Sequence, residues 1–147
     1  MHKIHVMKNL FFFILFILIL APSIQAQVVV IAHPDVPADS IEKSEIIDFY
    51  IGDIKKWKDG TSVVLFDLRS KSRTKRIFYN YIGKTSSRMK SIWMKNLLSG
   101  EGEPPETVNT DDEMIKKVAA TPGALGFISL NTPTHNVKVL KIIQRSD

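Results

Sequence analysis

Residues 69–74, Arg-Ser-Lys-Ser-Arg-Thr, lie between a predicted buried strand at 62–68 and a predicted helix. The first N–H groups of a helix have no intrahelical acceptor and bear partial positive charge. Hydroxyl groups and arginine beside such N–H groups suit phosphate or sulfate. The pattern predicts an oxyanion site formed by Arg69, Ser70, Ser72, Arg73 and Thr74. An ordinary capped helix after a solvated basic turn is the alternative.

Other residue types that perform chemistry are sparse. The sequence has no cysteine, and its only histidines after residue 26 are His33 and His135, without the spacing of metal ligands. No Gly-x-Ser-x-Gly motif is present. The acidic run at 111–113 falls in the first turn of a predicted helix, where negative charge is stabilised without any catalytic role. We therefore expect no catalytic residue, metal or cofactor, and no enzyme.

The basic run from Lys71 to Arg76 raises the question of nucleic-acid binding. It lacks the interleaved aromatic residues of a single-strand platform. Two of the twenty Lys and Arg residues and none of the fifteen Asp and Glu residues precede residue 27, so the remainder has a net charge of +3. This mild excess suits a small anion better than a long polyanion, and we expect no nucleic-acid partner.

The N-terminal segment has the pattern of a secretory signal peptide. Lys3 and Lys8 precede the apolar run 10–21, and the segment ends in Ile-Gln-Ala at 24–26, before a predicted mature N-terminus at Gln27. An uncleaved anchor is the alternative, although the run is short for a membrane span. We expect a signal peptide over 1–26 and one domain over 27–147, exported to the periplasm. The absence of cysteine excludes lipoprotein attachment.

Strand and helix patterns alternate along residues 27–147. They predict an α/β fold with a mixed, mostly parallel sheet flanked by helices. The apolar run at 28–33 is typical of a buried strand of the parallel kind, and 137–143 of a half-buried edge strand. Further strands are expected at 62–68 and 124–130, and an irregular loop at 101–109.

Predicted helices have recognisable caps and faces. The first is expected to be capped by Asp39 and to end at Gly52, and the second to be stopped by Gly83. The third is capped by Ser86 or Ser87, and the fourth by Thr110 with Glu113. On the third helix, the residues predicted to share one inward face are Met89, Ile92, Trp93 and Leu97, with Met94 in or beside the core.

Residues 52–60, Gly-Asp-Ile-Lys-Lys-Trp-Lys-Asp-Gly, combine charges with a tryptophan but need not contact a ligand. Ile54 and Trp57 are expected to pack inward while the lysines stay in water. Asp59 and Gly60 are expected to turn the chain into the next strand. We interpret the segment as a structural corner.

Three segments of the sequence resemble the periplasmic phosphate-binding proteins of ABC transporters, in the same order. They are IIDFYIGDIKKWKDG at 46–60, RSKSRTKRIF at 69–78 and TPGALGFISL at 121–130. The resemblance implies a type 2 periplasmic-binding-protein-like fold. It places Arg69, Ser72 and Thr74 on the phosphate contacts of the family, with Phe78 behind them.

The sequence also departs from the family pattern. Arg73 stands where the family has glycine, the loop is one residue shorter, and the Gly-Ala-(Thr/Ser) loop of the family's first lobe is not found. A single lobe is therefore expected. Because one lobe encloses only part of a ligand, weak or absent phosphate binding is expected unless a second chain, as in a homodimer, completes the cleft.

The resemblance implies an exported solute-binding-like protein for phosphate or a related oxyanion, serving ABC-type phosphate uptake. Its partners would be the anion and a membrane transporter. The alternative is a ligand-free interaction or adaptor module of the cell envelope that contacts a membrane transporter, a sensor or another secreted protein.

Overall fold

The computed structural model describes Ile4 and residues 27–144, and residues 27–144 form five strands and four helices. The predicted signal peptide, apart from Ile4, lies outside the described residues. The elements in chain order are β1 Val28–Ala32, α1 Lys43–Ile51, β2 Val64–Leu68, α2 Arg73–Tyr81, α3 Ser86–Leu98, β3 Glu106–Val108, α4 Asp111–Ala120, β4 Ala124–Ser129 and β5 Lys138–Ile143.

The strands form one sheet in the order β3-β2-β4-β1-β5. β2 pairs in parallel with β3 and β4, whereas β1 is antiparallel to both β4 and β5. Four of the five strands therefore run in one direction and β1 runs against them, which confirms the mixed, mostly parallel α/β sheet. The prediction that β1 is of the parallel kind was wrong. An apolar run reports burial on both faces, as all five residues of β1 show, and not the direction of its neighbours.

The two edge strands differ in how well the sequence predicts them. β5 is a half-buried edge strand as predicted, with Leu140 and Ile143 buried and Val139 and Ile142 exposed. β3 was predicted to be irregular loop. It has only three residues, of which only Val108 is buried, so alternation along the sequence could not reveal it.

The core lies on both faces of the sheet. On one face, Phe78 of α2 stacks on Phe127 of β4 with ring centroids 3.9 Å apart, and Tyr50 of α1 meets the edge of Phe78 at 5.0 Å. At Gly126, the neighbouring residue on the opposite face of β4, Met114 and Val118 of α4 pack where a Cβ atom would lie. Helices α1 and α2 therefore cover one face, and α4 covers the other.

The helix ends agree with prediction in part. Thr110 caps α4 by accepting the Glu113 N–H at 3.1 Å, and α1 ends at Gly52, both as predicted. α1 is capped by Glu42, not Asp39, and α3 by Thr85, not Ser86 or Ser87. In both helices the cap is the residue just before the first helical residue, where the backbone is still extended. Several neighbouring residues are of types that can cap a helix, and the sequence does not show which of them has this backbone conformation.

Helix α3 packs against α1 rather than on the sheet. Met89 is fully buried, Ile92 and Trp93 are half-buried, and the Trp93 indole N–H donates to the Tyr50 carbonyl at 2.9 Å. Leu97 is exposed, so the prediction that it shares the inward face was wrong. Met94 is exposed as well, contrary to its predicted place in or beside the core. A single neighbouring helix covers a narrower strip of α3 than a sheet would.

The corner at 52–60 is held to the turn before β4. The Trp57 indole N–H donates to the Gly123 carbonyl at 2.9 Å, and the Trp57 ring lies 4.8 Å from that of Phe49. Asp59 accepts the Thr61 N–H at 2.9 Å and completes the predicted turn. Ile54 is exposed, so only the tryptophan packs inward.

Candidate functional site

Three loops meet at the carboxyl edge of the sheet, because β2, β3 and β4 run in the same direction. In open α/β sheets, ligands bind outside the carboxyl ends of the strands. The loop after β2 begins with Arg69, whose N–H donates to the Val108 carbonyl of β3 at 3.1 Å. This bond extends the pairing of β2 with β3 by one residue and fixes the base of the loop.

The predicted anion loop is a tight turn that leads into α2. The Ser72 N–H donates to the Arg69 carbonyl at 3.0 Å, and the Ser72 hydroxyl accepts the Lys75 N–H at 3.2 Å as the helix cap. The first intrahelical bond runs from the Arg76 N–H to the Ser72 carbonyl. The N–H groups of Arg73 and Thr74 therefore have no acceptor within the helix.

All five predicted site residues lie in or beside this turn. Arg69, Ser70 and Arg73 are exposed, and Ser72 and Thr74 are half-buried. Although the Ser72 oxygen accepts the capping bond, its hydroxyl hydrogen remains able to donate to a ligand. The turn thus offers two backbone N–H groups, hydroxyls and two guanidinium groups on the solvent side.

The two helices that begin at this edge differ in charge. The first turn of α4 contains Asp111, Asp112 and Glu113, and Asp111 Oδ2 accepts the Ser129 N–H at 2.9 Å and the Thr132 hydroxyl at 2.7 Å. This carboxylate links the start of α4 to the end of β4. The first turn of α2 has no acidic residue. An external anion would therefore meet less repulsion at α2 than at α4.

A buried polar cluster lies beneath the loop, formed by Asp67, Lys75 and Tyr79. Asp67 is 1% exposed and Lys75 is 7% exposed. Asp67 Oδ2 accepts from Lys75 Nζ at 2.8 Å and from the Tyr79 hydroxyl at 2.7 Å, and Asp67 Oδ1 accepts the Leu68 N–H at 2.8 Å. The cluster joins the end of β2 to the first two turns of α2. It also directs the Lys75 ammonium into the protein, away from the anion loop.

Sequence reasoning missed this cluster, although two signals indicated it. Asp67 interrupts an apolar strand pattern, and a carboxylate in a buried strand requires a partner. Lys75 and Tyr79 are four residues apart and so share one face of α2. The partner itself could be identified only when the helix was placed on the strand.

Burial raises the pKa of the Tyr79 hydroxyl, and the negative charge of Asp67 and their hydrogen bond raise it further. Burial, followed by the charge of Asp67, also raises the pKa of Tyr50, whose hydroxyl donates to the Phe66 carbonyl at 2.9 Å. Both phenols therefore stay protonated in the folded protein at pH values where an unfolded chain would release their protons.

We expect the Tyr79→Phe variant to lose less stability with rising pH than the wild-type protein. The folded-state pKa of Tyr79 lies above the unfolded value, so its contribution is complete below about pH 10 and is lost at higher pH. In that range, each such tyrosine lowers the free energy of unfolding by about 1.4 kcal/mol for every unit by which the pH rises. Urea unfolding at several pH values above 10 measures the slope. Tyr50→Phe should reduce it similarly, and equal slopes in all three proteins would contradict the expectation.

The described residues contain neither a metal-binding cluster nor a membrane-spanning helix. Within residues 27–144, no three His, Asp or Glu side chains cluster so that they could hold a metal ion. Among the helices described there, none is long and apolar enough to cross a membrane.

The fold is that of one lobe of a type 2 periplasmic-binding-protein-like structure, with a mixed sheet between helices and a loop leading into α2 at the carboxyl edge. The sequence matches no protein-family model and no curated protein sequence.

Among the solved structures that share this fold are three bacterial proteins. One is described as a phosphate ABC transporter substrate-binding protein with bound phosphate from Clostridium perfringens (TM-score 0.66, 18% identity, 80% of this chain and 45% of that one). Another is an ABC-type phosphate transport receptor from Vibrio cholerae (TM-score 0.65, 19% identity, 80% of this chain and 46% of that one). The third is PstS from Borrelia burgdorferi (TM-score 0.60, 18% identity, 81% of this chain and 49% of that one). These are transport proteins rather than enzymes, and this chain spans less than half the length of each.

Proposed function

We propose that this chain is an exported, non-enzymatic solute-binding-like protein that binds phosphate or a related oxyanion at the start of α2. The observation that supports the proposal most directly is the composition and geometry of the loop at 69–74. Arg69 and Arg73 flank a helix start that has free N–H groups and no acidic residue. The similarity to solved phosphate-binding proteins supports the same ligand class.

The proposal assigns roles to the loop residues. Arg69 and Arg73 would supply charged hydrogen bonds to the anion, and the Arg73 and Thr74 N–H groups would bind its oxygens. The hydroxyls of Ser70, Ser72 and Thr74 would complete the contacts. The protein would act in the periplasm after removal of residues 1–26, and would deliver the anion to a membrane transporter.

The exposure of the loop bears on affinity. Arg69 and Arg73 are exposed, so one copy would leave a bound anion in contact with water. Exposed charge contacts contribute little because water screens them. We therefore propose weak binding by one copy, with tighter binding if a second copy or a partner covers the loop. Sedimentation velocity with and without phosphate would detect such a dimer.

Thermal melting in phosphate, sulfate or chloride at equal ionic strength tests the proposal. A ligand at one hundred times its Kd adds about 2.7 kcal/mol to the free energy of unfolding, which raises the melting temperature by several degrees. We expect phosphate or sulfate to give such a shift, and Arg69→Gln or Arg73→Gln to abolish it. The matched control is Arg88→Gln, an exposed arginine in the first turn of α3 that should leave the shift intact. No shift with either anion would contradict binding.

The second candidate function is a ligand-free interaction module of the cell envelope. It is favoured by Arg73, which stands where the resembled family has glycine and can occupy the space of the anion. The Arg73→Gly variant separates the two functions. If the wild-type protein shows no shift with phosphate and Arg73→Gly gains one, the arginine blocks a site that the fold otherwise retains.

A further inference from the structure

Helix α3 presents its outer side to solvent in a fixed orientation. On its inner side, Met89 is fully buried, the Trp93 indole bonds to the Tyr50 carbonyl, and the Asn96 amide donates to the Ile51 carbonyl at 3.1 Å. These contacts with α1 prevent α3 from rotating. In this structure the side chains on the opposite side of α3 therefore face outward.

The outer side of α3 carries exposed apolar side chains among lysines and serines. Met94, Leu97 and Leu98 are 55%, 45% and 80% exposed. Met94 and Leu98 line a shallow, open depression together with Lys90, Ser91, Lys95 and Ser99. A single exposed leucine needs no explanation, but adjoining exposed apolar side chains on one helix mark an interaction surface. We call these five residues, Lys90, Met94, Lys95, Leu97 and Leu98, the outer α3 surface.

The segment that contains the outer α3 surface is basic. Residues 84–100 contain four basic residues, Lys84, Arg88, Lys90 and Lys95, and no Asp or Glu. None of the ion pairs found within residues 27–144 involves any of the four. The first carboxylate after them is Glu101, just beyond the end of the helix, where its N–H donates to the Asn96 carbonyl. Asp53 and Glu101 line a neighbouring depression together with Arg88 and Lys95, but no carboxylate among the described residues lines the depression at Lys90, Met94 and Leu98. On that side of α3 the lysines therefore stay available to a partner.

We propose that the outer α3 surface docks on an anionic phospholipid membrane surface. A membrane combines negative headgroups with an apolar interior, and the surface combines lysines with Met94, Leu97 and Leu98 in the same way. Leucine and methionine would enter the headgroup boundary while Lys90 and Lys95 bind lipid phosphates. Charge argues against a second copy here, because two such helices would bring like charges together. This docking is independent of the anion loop.

Vesicle sedimentation tests the proposal with the protein recovered after export and its N-terminus determined by mass spectrometry. All variants share that N-terminus, so differences among them arise from α3. We expect binding to vesicles containing phosphatidylglycerol, weaker binding at high salt, and little binding to phosphatidylcholine alone. Lys90→Gln and Lys95→Gln should each weaken binding about fivefold, and Leu98→Ser about tenfold.

Matched controls carry the same substitutions elsewhere on the surface. Lys55→Gln, Lys56→Gln and Leu130→Ser also alter exposed residues and should leave vesicle binding unchanged. Because the altered side chains are exposed, the melting temperatures of the α3 variants, the control variants and the wild-type protein should agree within about a degree. Absence of vesicle binding, or binding that the α3 variants do not weaken, would overturn the proposal. So would a concentration-dependent dimer that Leu98→Ser abolishes, since a second copy would then cover the surface.

Discussion

Replacing Lys75 by methionine is expected to lower the free energy of unfolding by about 3–5 kcal/mol. The ammonium lies 2.8 Å from Asp67 Oδ2, and both side chains are buried. Methionine fills much of the space of the lysine side chain but leaves the Asp67 carboxylate without a cation. Urea unfolding measures the effect as a lower midpoint at an unchanged m-value.

The control for this variant is Lys117→Met. Lys117 Nζ lies 2.7 Å from Glu106 Oε1, an equally short pair whose side chains are 44% and 55% exposed. Because water screens exposed pairs, this change should cost less than about 1 kcal/mol. Adding Asp67→Asn to Lys75→Met should recover part of the lost stability, since no buried charge then remains. Equal losses from Lys75→Met and Lys117→Met would contradict the structural role of the buried pair.

Replacing Gly123 by alanine is expected to cost about 2–5 kcal/mol, through backbone strain and crowding together. The residue has φ +79°, and a Cβ atom there would overlap the backbone carbonyl oxygen of Ser62. The Gly123 carbonyl accepts both the Trp57 indole N–H at 2.9 Å and the Val64 N–H at 3.1 Å. A shift of the backbone at residue 123 that relieved the overlap would therefore disturb these two hydrogen bonds, which connect the turn before β4 to the 52–60 corner and to β2.

Gly60→Ala separates strain from crowding. Gly60 has a similar φ of +88°, but a Cβ atom there would meet nothing within 4 Å. Its substitution should cost only the strain, about 1–2 kcal/mol. The difference between the melting temperatures of the two variants measures the cost of placing a Cβ atom at residue 123 against the Ser62 carbonyl oxygen. If Gly123→Ala were no less stable than Gly60→Ala, the corner would tolerate the added methyl group and this account of the turn would be wrong.

Much of the fold could be predicted because its signals are local. The apolar runs before residues 33 and 69, the glycine at the end of α1 and the cap at Thr110 each reflect a few neighbouring residues. The same holds for the anion loop, whose residue types stand next to one another between a strand and a helix. Its residues remain a predicted site, and the melting experiment with phosphate and sulfate is its test.

The sequence by itself determined the order of the helices and of every strand except β3, the α/β class and the turn that begins α2, because these depend on short-range pattern and capping. Only the tertiary structure decided the direction of β1, the burial of Lys75 against Asp67, and the exposure of Met94 and Leu97. It also joined Trp57 to Gly123, sixty-six residues later. These features depend on which element packs beside which, and contacts between distant parts of the chain leave no local trace in the sequence.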